Sequence, residues 1–166
     1  THSNLVKEIN AELVATGNAI YGARASKEPW EQERMRKAQK IAEKALDEVL
    51  GLIKPGVTEK EIAAELIYHM LKNGAEDTSF DPIVVSGKNS SKPHGVPSDK
   101  QIEYGDFVTM DFGCIYMGYC SDMTRTVAVG HATDKMREVY RIVLEAQHEG
   151  IAAARAGVPG RSVDAA

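Results

Sequence analysis

Val108–Gly130 reads VTMDFGCIYMGYCSDMTRTVAVG, two β-strands folded back on each other. Aspartate is depleted from strands because its carboxylate solvates poorly there. Yet Asp111 and Asp122 both occupy strand positions. Alternation places Phe107, Thr109, Asp111, Gly113 and Ile115 on one face of the first strand. The apolar set Val108, Met110, Phe112, Cys114 and Tyr116 takes the other. A two-residue turn at Met117-Gly118 would set Tyr116 opposite Tyr119, Asp111 opposite Thr124 and Asp122 opposite Gly113. Both aspartates then share a face as diagonal neighbours, roughly 7–8 Å apart at Cα, and Gly113 leaves space beside Asp122. Met-Gly is a poorer hairpin turn than Asn-Gly. A shift of two residues would preserve the shared face and a shift of one would destroy it.

Two carboxylates held so close repel unless positive charge lies between them. A divalent cation supplies it: Asp oxygens suit Mn²⁺ or Mg²⁺, and Zn²⁺ or Co²⁺ when a histidine joins. The alternatives are neutralisation by Arg125 or a lysine, or one aspartate capping a turn. The two cysteines, Cys114 and Cys120, fall on opposite faces, so no disulfide joins them. Cys114 belongs to the core and Cys120 borders the aspartate face.

Upstream, Ala38, Ile41, Ala42, Ala45, Leu46, Val49, Leu50 and Ile53 recur at helical spacing, and Pro55-Gly56 stops that helix. Thr58 with Glu61 forms a capping box that opens a second helix, inward at Ile62, Leu66 and Met70 and closed by Asn73-Gly74. Phe80–Ser86 reads as a strand, followed by the loop GKNSSKPHGVPSD. A third helix starts at Thr133, apolar at Met136, Val139, Tyr140, Val143 and Leu144, and ends near Gly157. Before Pro29 the pattern is weak: LVKEINAELV suits a short helix, and ATGNAIYGARASKEP reads as loop.

An internal repeat appears when Gly56 is laid on Gly157. Met35 then falls on Met136, Arg36 on Arg137, Ile41 on Ile142, Ala45 on Ala146 and Ile62 on Val163. The same helix–turn–helix opening occurs twice. The simplest reading is a duplicated α-α-β-β unit, first copy complete and second copy cut short at Ala166.

His94 sits in Lys92-Pro93-His94-Gly95-Val96-Pro97. The prolines stiffen the backbone and the glycine lets a ligand approach. An imidazole so presented donates to a substrate carbonyl or shuttles a proton; otherwise it is an ordinary loop histidine. His69 and His148 read as helix-surface residues and His131 as a loop residue.

The chain of 166 residues suffices for one domain or a piece of a larger one. Its net charge of −4 and lack of a basic cluster argue against nucleic acid. No apolar run is long enough to span a membrane, and the first residues lack a signal peptide's apolar core. Sparse cysteine without CxxC spacing points to a reducing cytoplasm.

Two motifs in order, FDPIVVSGKNSSKPHG (Phe80–Gly95) and MDFG…GYCSDMTRT (Met110–Thr126), resemble the pita-bread metallopeptidases. The resemblance is nearest to the aminopeptidase P and Xaa-Pro dipeptidase branch, with methionine aminopeptidase more distant. It covers residues 28–166 and implies an α+β pita-bread domain whose first α-α-β-β half is complete and second half truncated. Residues 1–27 then look like the tail of a preceding N-terminal domain. The resemblance implies that Asp111 chelates one metal of a pair, that Asp122 bridges both, and that His94 hydrogen-bonds substrate. It implies two divalent ions, Mn first, with Co, Zn or Fe possible alternatives. It implies hydrolysis, by a metal-bound hydroxide, of the bond between an N-terminal residue and proline in a small peptide, and a homodimeric parent protein. The family's remaining ligands, one histidine and two glutamates, lie further on than this chain reaches. With two carboxylates of five ligands the chain alone is expected to bind metal weakly, to show little activity, and to self-associate through exposed sheet and helix faces. A non-catalytic module that binds peptides or proteins is the rival of a different class. The retained Asp111, Asp122 and His94 disfavour it. The two aspartates also disfavour a metal-free creatinase-type hydrolase.

Overall fold

The computed structural model describes residues 9–11 and 17–166. The short helix expected over Leu5–Val14 lies outside the described residues, save Ile9–Ala11, which are not helical. Helix α1 (Ala19–Ala25) occupies a stretch expected to be loop. It buries no residue and rests on local bonds such as Gly22 N–H to the Asn18 carbonyl, 2.8 Å. Its Ala and Arg content suits a helix, but nothing in its spacing marks a core face.

Helix α2 (Pro29–Val49) has proline at its first turn, where the missing N–H costs nothing. Glu28 and Glu31 cap it reciprocally, the Glu28 N–H donating to Glu31 Oε2 at 2.7 Å. Its inward face is Ala38, Ile41, Ala42, Ala45, Leu46 and Val49. The alanines allow close approach to the sheet: Cys114 Sγ donates to the Ala38 carbonyl at 3.3 Å. A 3-10 turn (Leu50–Leu52) leads into Pro55-Gly56. Helix α3 (Glu59–Lys72) carries the expected box: Glu61 N–H donates to Thr58 Oγ1 at 3.2 Å, and Thr58 N–H to Glu61 Oε2 at 2.7 Å. Ile62, Leu66 and Met70 are fully buried. His69 is not a free surface residue as expected. Its Nδ1 lies 2.7 Å from Glu48 Oε2, which also accepts from Asn73 Nδ2 at 2.8 Å, so the imidazole ties α3 to α2. His148 and His131 are exposed, on helix and loop as expected.

Among the described residues six strands form two three-stranded antiparallel sheets. Strands β1 (Asp77–Thr78), β4 (Cys114–Tyr116) and β5 (Tyr119–Cys120) make one, in the order β1-β4-β5. Strands β2 (Ile83–Ser86), β3 (Phe107–Phe112) and β6 (Met123–Ala128) make the other, in the order β2-β3-β6. The strand expected from Phe80 thus starts at Ile83. Tyr116 pairs with Tyr119 and Asp111 with Thr124, the register the alternation predicts. Between the sheets the ladder is interrupted at Gly113, and Asp122 lies outside any strand. A Cβ on Gly113 would sit 2.0 Å from the Ser121 carbonyl oxygen and 2.5 Å from Ser79 Oγ. Gly113 therefore makes room for the crossing backbone rather than for Asp122.

The core lies between α2–α3 and one face of the sheets, where Val108, Met110, Phe112 and Cys114 are wholly buried. Helix α4 (Asp134–Ala153) begins at Thr133, whose Oγ1 accepts from Met136 N–H at 3.2 Å, and ends four residues before Gly157. Helix α5 (Gly160–Asp164) follows. Gly56 and Gly157 share a left-handed backbone, φ +93° and +82°, at the same point between paired helices. The repeat is thus structural as well as sequential.

Phe112→Ala should cost about 3–5 kcal/mol of unfolding free energy through the cavity it leaves. Val139→Ala, on the exposed face of α4, should change it by no more than about 0.5 kcal/mol. Urea titrations followed by circular dichroism compare the two.

Candidate metal and peptide site

Antiparallel pairing sets the face on which each side chain stands, because directly opposed residues project to the same side. Ile83, Asp111 and Thr124 form one row across β2, β3 and β6; Val85, Thr109 and Thr126 form the next. Thr109 and Thr126 join their hydroxyls at 3.0 Å. This is the face away from α2 and α3. Asp111 sits mid-ladder on the central strand and is half-buried. Its Oδ1 is closed off from solvent and has no hydrogen-bond partner among the described residues. A buried carboxylate oxygen without a partner is costly. Asp122, at the β5–β6 junction, is exposed.

Among the described residues, neither Arg125 nor a lysine neutralises these carboxylates. Arg125 Nη1 donates to the Thr124 carbonyl at 2.8 Å. Among the described residues no ion pair joins Asp111 or Asp122 to a cation. A buried hard oxygen without a partner, as at Asp111, fits a divalent cation. No group of three His, Cys, Asp or Glu side chains able to hold a metal forms among the described residues.

His94 stands on the tip of a turn closed by Gly95 N–H donating to the Lys92 carbonyl at 3.2 Å. It is exposed. Gly95 is buried instead of open to a ligand as expected: a Cβ there would lie 2.6 Å from Val85 Cγ1. Val85 belongs to the Thr109 row, so the His94 turn is seated on the same face as Asp111, one strand across. The structure thus brings His94 and Asp111 to one side of one sheet, without a hydrogen bond between them.

One residue here escaped the sequence reading. Glu59, the first residue of α3, is fully buried. Its Oε1 accepts from Ser86 N–H (2.7 Å), Ser86 Oγ (2.9 Å) and Asn89 Nδ2 (3.1 Å). Its Oε2 accepts from Ser98 N–H (3.1 Å) and Ser98 Oγ (2.6 Å). Burial by itself pushes the Glu59 carboxyl up; the Ser98, Asn89 and Ser86 donors outweigh it and hold it below the ordinary glutamate value. Such a group contributes stability above the unfolded glutamate pKa, about 4.3, and loses it as pH falls through the depressed folded value. Lys100 Nζ joins the network through Ser86 Oγ (3.0 Å) and Asp106 Oδ2 (2.8 Å). The available signal was a serine-rich loop with many donors and few acceptors.

A cleft of about 550 Å³ opens between the aspartate-bearing face and α4, lined by Thr109, Thr124 and Thr126 on the sheet and Tyr140, Val143 and Leu144 on the helix. Its floor continues the Asp111 row.

If Asp111 Oδ1 is held ready for a cation, the charge should cost stability when none is bound. Asp111→Asn should raise the unfolding free energy of the chelator-treated chain by about 0.5–2 kcal/mol, read from its urea midpoint. A fall would show that the carboxylate has a structural partner.

A profile of metallopeptidase family M24 matches residues 33–166. The chain is 47% identical over 156 residues to an uncharacterized peptidase of Bacillus subtilis, covering 94% of this chain and 44% of that protein. It is 45% identical over 153 residues to an Xaa-Pro dipeptidase of Pyrococcus furiosus, covering 92% and 44%. The structure of an Xaa-Pro dipeptidase from Bacillus anthracis superposes with a TM-score of 0.93 at 48% identity, over 99% of this chain and 46% of that one. The chain therefore spans less than half the length of these relatives, and its fold is the first α-α-β-β unit of their pita-bread architecture with the opening of the second. This chain belongs to metallopeptidase family M24, on the side of the family occupied by Xaa-Pro dipeptidases.

Proposed function

We propose that this chain carries part of the catalytic site of an exopeptidase that hydrolyses the bond between an N-terminal residue and a following proline. The observation that carries the reading is Asp111 Oδ1, buried, unpartnered and facing the same side as the His94 turn. Asp111 and Asp122 would hold a pair of divalent cations. Their oxygen donors favour Mn²⁺, with Co²⁺, Zn²⁺ or Fe²⁺ set by availability. Bound there, such cations supply Lewis acidity and an activated water.

The protein's own part is placement. The β3–β6 ladder fixes Asp111, and the Gly113 crossing fixes where Asp122 leaves the sheet. His94, standing clear on its turn, donates to the substrate carbonyl oxygen and steadies it as negative charge develops. The threonine-lined cleft receives a small peptide. Residues 28–166 form the start of the catalytic domain, and residues 1–27 end a preceding one. Free Cys114 and Cys120 fit a cytoplasmic setting. The full protein works as a homodimer.

The experiment measures Mn²⁺-dependent release of the first residue from Xaa-Pro dipeptides and tripeptides. It compares this chain with the chain continued to its relatives' length. Turnover is expected only in the longer protein. There, Asp111→Asn should lower it by more than about a hundredfold, since even groups behind the ligands are worth 10–100-fold. His94→Ala should cost about 10²–10⁴-fold with Mn²⁺ binding retained. Peptide binding without turnover in the longer protein would favour the non-catalytic module. By itself the chain should self-associate through the exposed Val139, Ile142, Val143 and Ile151 of α4. A concentration-independent monomer in sedimentation would count against that.

A further inference from the structure

The loop that carries His94 has no ladder of its own. Between Ser86 and Ser98 it holds a 3-10 turn (Gly87–Ser91), one β-turn and two prolines. Its two ends nevertheless meet on one carboxylate. Ser86 and Asn89 bond to one oxygen of Glu59, and Ser98 bonds to the other. Glu59 is wholly buried and makes no direct ion pair among the described residues. An acidic residue opening a helix usually faces water, where it complements the dipole at little cost. This one is drawn into the protein and meets five donors, all from the His94 loop and its two ends. The cost of burying the charge is sustained for the loop, because α3 is already capped by Thr58 and Glu61.

We propose that Glu59 is a positioning residue for His94: its carboxylate clamps both ends of the loop and holds the imidazole over the Asp111 face. Three further contacts seat the loop between the ends. Gly95 rests on Val85 Cγ1, Ser90 Oγ donates to the Phe107 carbonyl at 3.1 Å, and Lys92 Nζ donates to Asn89 Oδ1 at 2.9 Å. The last two couple the clamp to β3 and to the His94 turn. Glu59 touches no reacting atom; it acts through His94, and the inference rests on the role proposed for that residue above.

The variant is Glu59→Gln, which replaces one acceptor oxygen with a donor that the facing N–H groups of Ser86, Asn89 and Ser98 cannot use. In the chain continued to its relatives' length, kcat on an Xaa-Pro dipeptide should fall on the order of a hundredfold, as for a misplaced catalytic group. KM and Mn²⁺ binding should hold. Amide exchange should quicken across residues 86–98 and stay unchanged in β3 and β6. Glu59→Gln combined with His94→Ala should lose no more activity than His94→Ala alone, since both remove the same contribution. Losses that multiply, weakened Mn²⁺ binding, or unchanged exchange in the loop would each overturn the proposal. Should Glu59→Gln not fold, Ser98→Ala and Asn89→Ala loosen one end each, and the same pattern is expected at smaller amplitude. A wild-type protein that cleaves no Xaa-Pro peptide would sink the proposed activity instead. The clamp is then judged by loop exchange and by the His94 imidazole NMR signals in Glu59→Gln: altered signals support it and unchanged ones overturn it.

Discussion

The Met117-Gly118 turn sets the register on which both faces of the sheet depend. Both residues are left-handed, φ +48° and +77°, the backbone that matches strand twist in a tight hairpin. Glycine takes that conformation freely; methionine does so at a cost of about 1–2 kcal/mol. The carboxylate of Glu76 accepts both turn N–H groups, at 3.1 Å each, and offsets the cost. A slip of one residue would send Asp111 into the α2–α3 core and Phe112 into water. The wholly buried Val108, Met110, Phe112 and Cys114 make that slip prohibitive. Core packing and site geometry are thus two consequences of a single register.

Gly113 then divides the hairpin into two working parts. The Ser121 backbone crosses where a side chain would otherwise stand, and Ser79 Oγ ties it down by donating to the Ser121 carbonyl at 2.8 Å. Beyond this point β4 and β5 serve the core under α2, while β3 and β6 carry the aspartate face. The two aspartates consequently differ. Asp111 is caught between neighbouring strands, and Asp122 stands at the junction with open solvent. The Asp111 oxygen, buried without a partner among the described residues, is a local conflict of the kind natural proteins keep at functional sites.

The His94 loop is organised by the opposite device. Its position is held by a buried charge and side-chain donors, with the Gly95–Val85 contact as the apolar anchor. Loops positioned on a rigid scaffold are where binding groups usually sit. Here the scaffold is α3 on one side and β2 on the other, so the same helix that fills the core also sets the loop.

What was legible in the sequence was whatever repeats locally. Helical spacing located α2, α3 and α4; Thr58 and Glu61 located a helix start; alternation and one turn set the β3–β6 register and the face on which Asp111 stands. The match of Gly56 to Gly157 exposed the duplicated helix pair, because a left-handed backbone position needs glycine in both copies. Only the tertiary structure decided which partners distant polar groups choose. Glu59 reaches Ser86, Asn89 and Ser98, His69 reaches back to Glu48, and Gly95 and Gly113 serve close packing rather than open space. Periodicity reports which face of an element is buried. It carries no information about which donor, many residues away, will meet a given carboxylate, since that follows from how the elements pack in three dimensions.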